Sequence, residues 1–107
     1  MGMREQDQRV LKDFASRIRR EFPEARVWAF GSRVRGDAQS HSDYDMCVVI
    51  DRLNEDADRR ICDIAFEVGW ENDVLITTVT YSQEQFEHGP WSVSPLVLSI
   101  QREGIPA

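Results

Sequence analysis

The sequence predicts an α/β fold of the α+β kind, a small mixed β-sheet with helices mainly on one face. Two observations carry that reading. Short apolar, β-branched runs alternate with segments whose apolar residues recur every three or four positions. The chain is also only 107 residues long, with 41% hydrophobic and 30% charged residues, which suits one core and leaves no room for a second. Residues 1–107 are therefore expected to form a single domain. No repeat, low-complexity segment or linker interrupts them.

Over residues 4–22, Val10, Leu11, Phe14, Ile18 and Phe22 fall on one helical face, and Pro23 ends the helix. Arg17, Arg19 and Arg20 near its end suit the helix dipole and read as solvated charge. Residues 26–30 form a first strand. One helical turn over 32–36 and a loop over 37–42 lead to a second strand over 44–51. Asn54 is placed to cap the next helix, with Glu55 and Asp56 in its first turn, where negative charge is favoured. Ile61, Ile64, Ala65 and Val68 give this helix its buried face, and Gly69 is expected to close it. The β-branched run 74–80 reads as a third strand. Ser82-Gln83-Glu84-Gln85 has the form of a capping box, opening a short helix that Gly89-Pro90 stops. Ser94-Pro95 opens a last helix with Leu96, Val97 and Ile100 inward and Gly104 at its end.

The chemistry lies between the first two strands. A Gly31-Ser32 turn follows the apolar run 27–30, and Ser42-Asp43-Tyr44-Asp45 leads into the apolar run 46–50. Side chains alternate along a strand, so Asp43 and Asp45 share a face, with Cα atoms about 7 Å apart. Two neighbouring carboxylates repel unless a cation lies between them, and their hard oxygens suit Mg²⁺ that also binds substrate phosphates. The Gly31-Ser32 turn offers a phosphate cradle of backbone N–H groups and the Ser32 hydroxyl. Arg33 and Arg35 stand one turn away, where a guanidinium reaches phosphate or else pairs with Asp37 or Asp51. No Gly-Lys-Ser/Thr follows the glycines, which excludes a Walker phosphate loop.

Gly31-Ser32-Arg33-Val34-Arg35-Gly36 followed by Ser42-Asp43-Tyr44-Asp45-Met46-Cys47-Val48 closely resembles the signature of the DNA polymerase β-like nucleotidyltransferases, and in particular their minimal members. Val34 and Met46 are mild departures from it. The resemblance covers nearly the whole chain. It implies a nucleoside triphosphate, most plausibly ATP, held with Mg²⁺ by Gly31, Ser32, Arg33, Arg35, Ser42, Asp43 and Asp45. It implies transfer of the nucleoside monophosphate to a hydroxyl group, with pyrophosphate leaving. Short proteins of this type are commonly paired with a HEPN-domain ribonuclease, which they neutralise as antitoxins by adding AMP to a tyrosine. Active relatives also place a third carboxylate on the next strand, and by resemblance that position lies near Thr77. Asp73 has the same parity but stands about 13 Å away along a regular strand, so it serves only if the strand starts later or bulges. An alternative reading follows: a catalytically impaired binding module that neutralises its partner by direct complex formation.

Charge bears on the partner. The chain has 13 basic and 19 acidic residues and a net charge of −6, which disfavours a polynucleotide and leaves a protein acceptor as the expectation. His41, His88 and the tryptophans suggest no further site; Trp28, Trp70 and Trp91 read as core or interface aromatics. A homodimer or a helical partner is expected to cover part of residues 91–105. Cys47 and Cys62 read as reduced core residues. No run approaches the ~20 apolar residues of a membrane span, and no signal peptide is visible, so a cytoplasmic location is expected.

Overall fold

Two long helices lie on one face of a four-stranded sheet and two short ones on the other, in a computed structural model that describes residues 3–36 and 43–107. The elements run α1 (Glu5–Glu21), β1 (Arg26–Phe30), α2 (Ser32–Arg35), β2 (Tyr44–Ile50), α3 (Glu55–Asn72), β3 (Ile76–Ser82), α4 (Gln83–Glu87), a 3-10 turn (Pro90–Val93), α5 (Pro95–Glu103) and β4 (Ile105–Pro106). Sheet order is β3-β2-β1-β4. β1 is antiparallel to both its neighbours, and β2 runs parallel to β3 with α3 as the crossover.

β2 is apolar along nearly its whole length because both of its faces are covered. Tyr44, Met46, Val48 and Ile50 pack with Val10, Phe14 and Ile18 of α1 and with Ile61, Ile64 and Val68 of α3. Cys47 and Val49 face the other way, onto Phe86 of α4 and Val97 and Ile100 of α5. Leu96, expected inside, is 38% exposed; α5 is narrow and Val97 and Ile100 suffice to seal the smaller core.

α1 and α3 are joined across their exposed edges. Arg17 pairs with Asp13 and, through both terminal nitrogens, with Glu71. Arg60 grips both oxygens of Glu21. Arg17 is thus an interhelical clamp rather than the solvated charge that its place in the helix suggested. Cys62 is exposed on α3, its sulfur 3.9 Å from the Thr78 hydroxyl of β3, not in the core, while Cys47 is buried; both are free thiols.

The end of α3 departs most from expectation. The helix continues past Gly69 to Asn72, and Asp73 ends it in the left-handed conformation at φ 56°. The Val74 N–H then turns back to the Gly69 carbonyl at 2.9 Å. A Cβ at Gly69 would lie 2.6 Å from the Val74 oxygen, so this glycine serves close packing of the turn rather than termination. Residues 73–75 are used in the reversal, and β3 begins only at Ile76. β4 was not foreseen; it is two residues long and held by pairing with Trp28 and Ala29.

Candidate functional site

The strand register gathers the site at one end of the sheet. Phe30, the last residue of β1, lies opposite Asp45, and Asp45 lies opposite Thr77 of β3. The turn after β1 and the starts of β2 and β3 therefore meet. At that turn Gly31 has φ 82° and ψ −154°, a combination open essentially to glycine alone. A Cβ there would fall 2.4 Å from Asp45 Oδ2. Glycine is required twice over, by its backbone and by the carboxylate seated against it.

Ser32 starts α2, so its N–H has no carbonyl behind it within the helix. The Gly31 carbonyl accepts from the N–H groups of Val34 and Arg35, both at 3.1 Å, and Gly36 closes the turn in the left-handed region. This single turn is set directly beside the aspartate strand.

Asp43 is exposed and Asp45 partly so, at the open end of the face that carries Cys47 and Val49 lower down. The Thr77 hydroxyl donates to Asp45 Oδ1 at 2.7 Å. Thr77 thus occupies the position beside Asp45 at which the resemblance implies a carboxylate. Asp73 does not fill that role: although β3 starts late, Asp73 is the left-handed residue ending α3, and no three acidic, histidine or cysteine side chains converge to hold a metal among the described residues. A groove of about 510 Å³ borders Asp73, Phe66, Trp70 and Leu75, but Gly31, Asp43 and Asp45 do not line it.

Arg33 requires a correction. Its spacing suggested a reach toward phosphate or a surface ion pair, yet it is 5% exposed and turned into the protein. Its Nη1 donates to Asp7 Oδ1 at 3.3 Å, and its guanidinium lies 4.1 Å from the centre of the Tyr44 ring. Residues two positions apart on a helix point to nearly opposite sides, so Arg33 and Arg35 diverge; Arg35 is exposed. Ser42 and His41 lie outside the described residues.

Asp7 was missed. It is 3% exposed at the position that continues the apolar face of Val10, Leu11 and Phe14 one turn toward the N-terminus. A carboxylate on an otherwise apolar face is the signal that would have found it, since a buried charge needs a partner. Its partners are Arg33, the Tyr44 hydroxyl, which donates at 2.5 Å, and the Arg4 N–H. Burial, with help from the bond to Asp7, pushes the Tyr44 phenol up to about 12, so it stays a neutral donor.

The oxygens of Asp43 and Asp45, with a glycine turn beside them, suit a hard cation that brings phosphate oxygens to complete its shell. Mg²⁺ typically accepts one or two carboxylates from protein when a nucleotide supplies the rest, so the residues present fit that group. The family model described as a nucleotidyltransferase domain matches residues 11–103. No curated protein matches the chain.

Proposed function

The chain belongs to the nucleotidyltransferase domain family, and on that premise we propose that it transfers a nucleoside monophosphate, AMP from ATP, to a hydroxyl of a protein acceptor. The observation that carries this reading is the seat of Asp45 against Gly31, which sets a carboxylate directly beside the Gly31-Ser32 turn. Asp43 and Asp45 would hold Mg²⁺, which would neutralise charge on the triphosphate as pyrophosphate leaves. Gly31 lets Asp45 sit against the turn, the Ser32 N–H and hydroxyl would orient the phosphates, and Arg35 would add positive charge at the rim. The acceptor we favour is a tyrosine of a HEPN-type ribonuclease, with the chain acting as its antitoxin. The exposed Trp91 and Val93 and the outer face of α5 would meet that partner or a second copy.

The test is incubation with labelled ATP, Mg²⁺ and the product of the adjacent gene, the candidate partner. Label should reach the partner from wild type and fall ~100-fold or more with Asp43→Asn/Asp45→Asn. Equal labelling by that variant would sink the site.

The Thr77–Asp45 hydrogen bond favours a second reading. A threonine supplies no negative charge for a second metal, so the domain would bind nucleotide weakly and act by covering its partner. Neutralisation would then proceed without ATP and survive Asp43→Asn/Asp45→Asn. Inhibition that disappears when ATP is withheld would exclude this reading.

A further inference from the structure

We propose that the buried trio Asp7, Arg33 and Tyr44 is a positioning device for the proposed nucleotide site, fixing the 31–36 turn against the aspartate strand and thereby setting nucleotide affinity. The proposal rests on the site reading above, but the device itself is visible without a ligand. Its three members come from three elements: the first turn of α1, the single turn of α2, and the first residue of β2. Asp7 and Arg33 are 3% and 5% exposed, and Tyr44 is 2% exposed.

The connectivity explains what the trio does. Tyr44 stands between Asp43 and Asp45 in sequence, so the orientation of its peptide units orients both carboxylates. Its side chain points to the opposite face of the sheet, where the hydroxyl is held by Asp7 and the ring lies beneath the Arg33 guanidinium. Its N–H is bonded to the Leu75 carbonyl at 2.9 Å. Arg33 follows Ser32 directly and is gripped by the same Asp7 oxygen that accepts from Tyr44. One carboxylate oxygen therefore joins the phosphate turn to the aspartate strand from behind. Asp7 is itself fixed, because its other oxygen accepts from the Arg4 N–H at 3.2 Å.

Stability alone does not call for this arrangement. Taking an ion pair out of water carries a desolvation cost that its attraction often only matches, and apolar residues of similar size frequently serve as well. What directed hydrogen bonds add is a defined register between elements that α2, four residues long, has little packing to provide. Held this way, Gly31 and Ser32 are already in place when phosphate arrives, so binding does not have to order them.

The experiment compares wild type, Tyr44→Phe and the doubly apolar Asp7→Leu/Arg33→Met. Tyr44→Phe keeps the ring but removes the hydroxyl; the double variant removes both charges together, so neither Asp7 nor Arg33 is left buried without the other. Amide hydrogen exchange in the ligand-free protein is read for residues 31–36 and, as a control, for the central strand 46–49. Both variants should exchange at least ~10-fold faster over 31–36 while 46–49 keeps its protection, and ATP·Mg²⁺ affinity by calorimetry should fall ~10-fold at a temperature where all are folded. Unchanged protection at 31–36 in either folded variant would overturn the proposal. So would loss of protection in equal proportion at 46–49, which marks a general stabilising role. If wild type binds no ATP·Mg²⁺, the proposed function fails and with it the effect on affinity, while the exchange pattern still decides whether the trio fixes the 31–36 turn.

Discussion

Gly31 and Thr77 are the two residues whose chemistry can be tested one atom at a time. Adding a methyl group at Gly31 places carbon 2.4 Å from Asp45 Oδ2 and forces a side chain into a glycine-only backbone conformation. Gly31→Ala is therefore expected to cost ~1–3 kcal/mol in stability from the backbone alone. It should also displace the Asp45 carboxylate, so nucleotide binding should be lost in protein that remains folded; chemical denaturation and calorimetry measure the two effects separately. Thr77→Asp tests the missing charge. The new carboxylate would sit in register with Asp45, where the hydroxyl now donates. Repulsion should lower ligand-free stability, and if the absent ligand limits turnover, transfer should rise at least ~10-fold with Mg²⁺ present. A fall in transfer would mean that the threonine hydrogen bond itself is needed. At this scale the sequence was informative where spacing alone fixes geometry: the parity of Asp43 and Asp45 follows from strand periodicity, whereas the Thr77 position came from the family resemblance. It was uninformative about Arg33, because sequence neighbours on a single helical turn point in different directions and only the fold says which one faces inward.

Capping decides whether the short elements form at all. α4 has only five residues, yet it brings Phe86, fully buried, onto the smaller face of the sheet, where its ring stacks 5.1 Å from Trp28. The Ser82 hydroxyl accepts from the Gln85 N–H at 3.1 Å, and the Gln85 side chain returns a bond from the Ser82 N–H at 3.0 Å. Ser82→Ala should cost ~1 kcal/mol and loosen Phe86, seen as faster exchange over 83–87 and a lower melting temperature. The long helices depend on charge at their margin. Arg17 and Arg60 hold the Glu71 and Glu21 carboxyls below the usual carboxylate range. A depressed carboxyl stabilises the fold above its ordinary value of 4.5, and that contribution disappears as pH falls through the lowered one. Melting temperature should thus decline below pH 4.5, less steeply in Glu21→Gln/Glu71→Gln, and the difference should shrink in high salt because both pairs are exposed. The caps of α3, α4 and α5 were legible because a cap is a local pattern of four residues. The start of β3 and the existence of β4 were not: one depends on how a left-handed Asp73 reverses the chain, the other on a neighbour 76 positions earlier, with Ile105 pairing to Ala29 and so needing the finished sheet.

The distribution of charge over the whole molecule separates a nucleotide from a nucleic acid. The net charge is −6, and several of the 13 basic residues are already engaged: Arg17 and Arg60 between helices, Arg19 with the backbone carbonyls of Ala25 and Ala107, Arg26 with Glu87 and the Trp28 ring, and Arg33 with Asp7. Polynucleotide affinity grows with the number of phosphates that Lys and Arg neutralise, each releasing counterions. A net-negative surface with part of its cations held by internal partners offers fewer such contacts. A triphosphate needs only one turn and one cation, which the proposed site would offer where the end of β1 meets the start of β2. No described helix is long and apolar enough to cross a membrane. The chain should therefore show no retention on single- or double-stranded DNA or RNA even near 50 mM salt, where backbone contacts are strong. ATP should bind appreciably only with Mg²⁺, and Asp45→Asn should abolish that difference. Calorimetry with ATP alone, Mg²⁺ alone and both together measures it directly. Retention on nucleic acid that weakens steeply with salt would point instead to a polynucleotide acceptor, and equal ATP binding with and without the metal would remove the aspartate pair from the site.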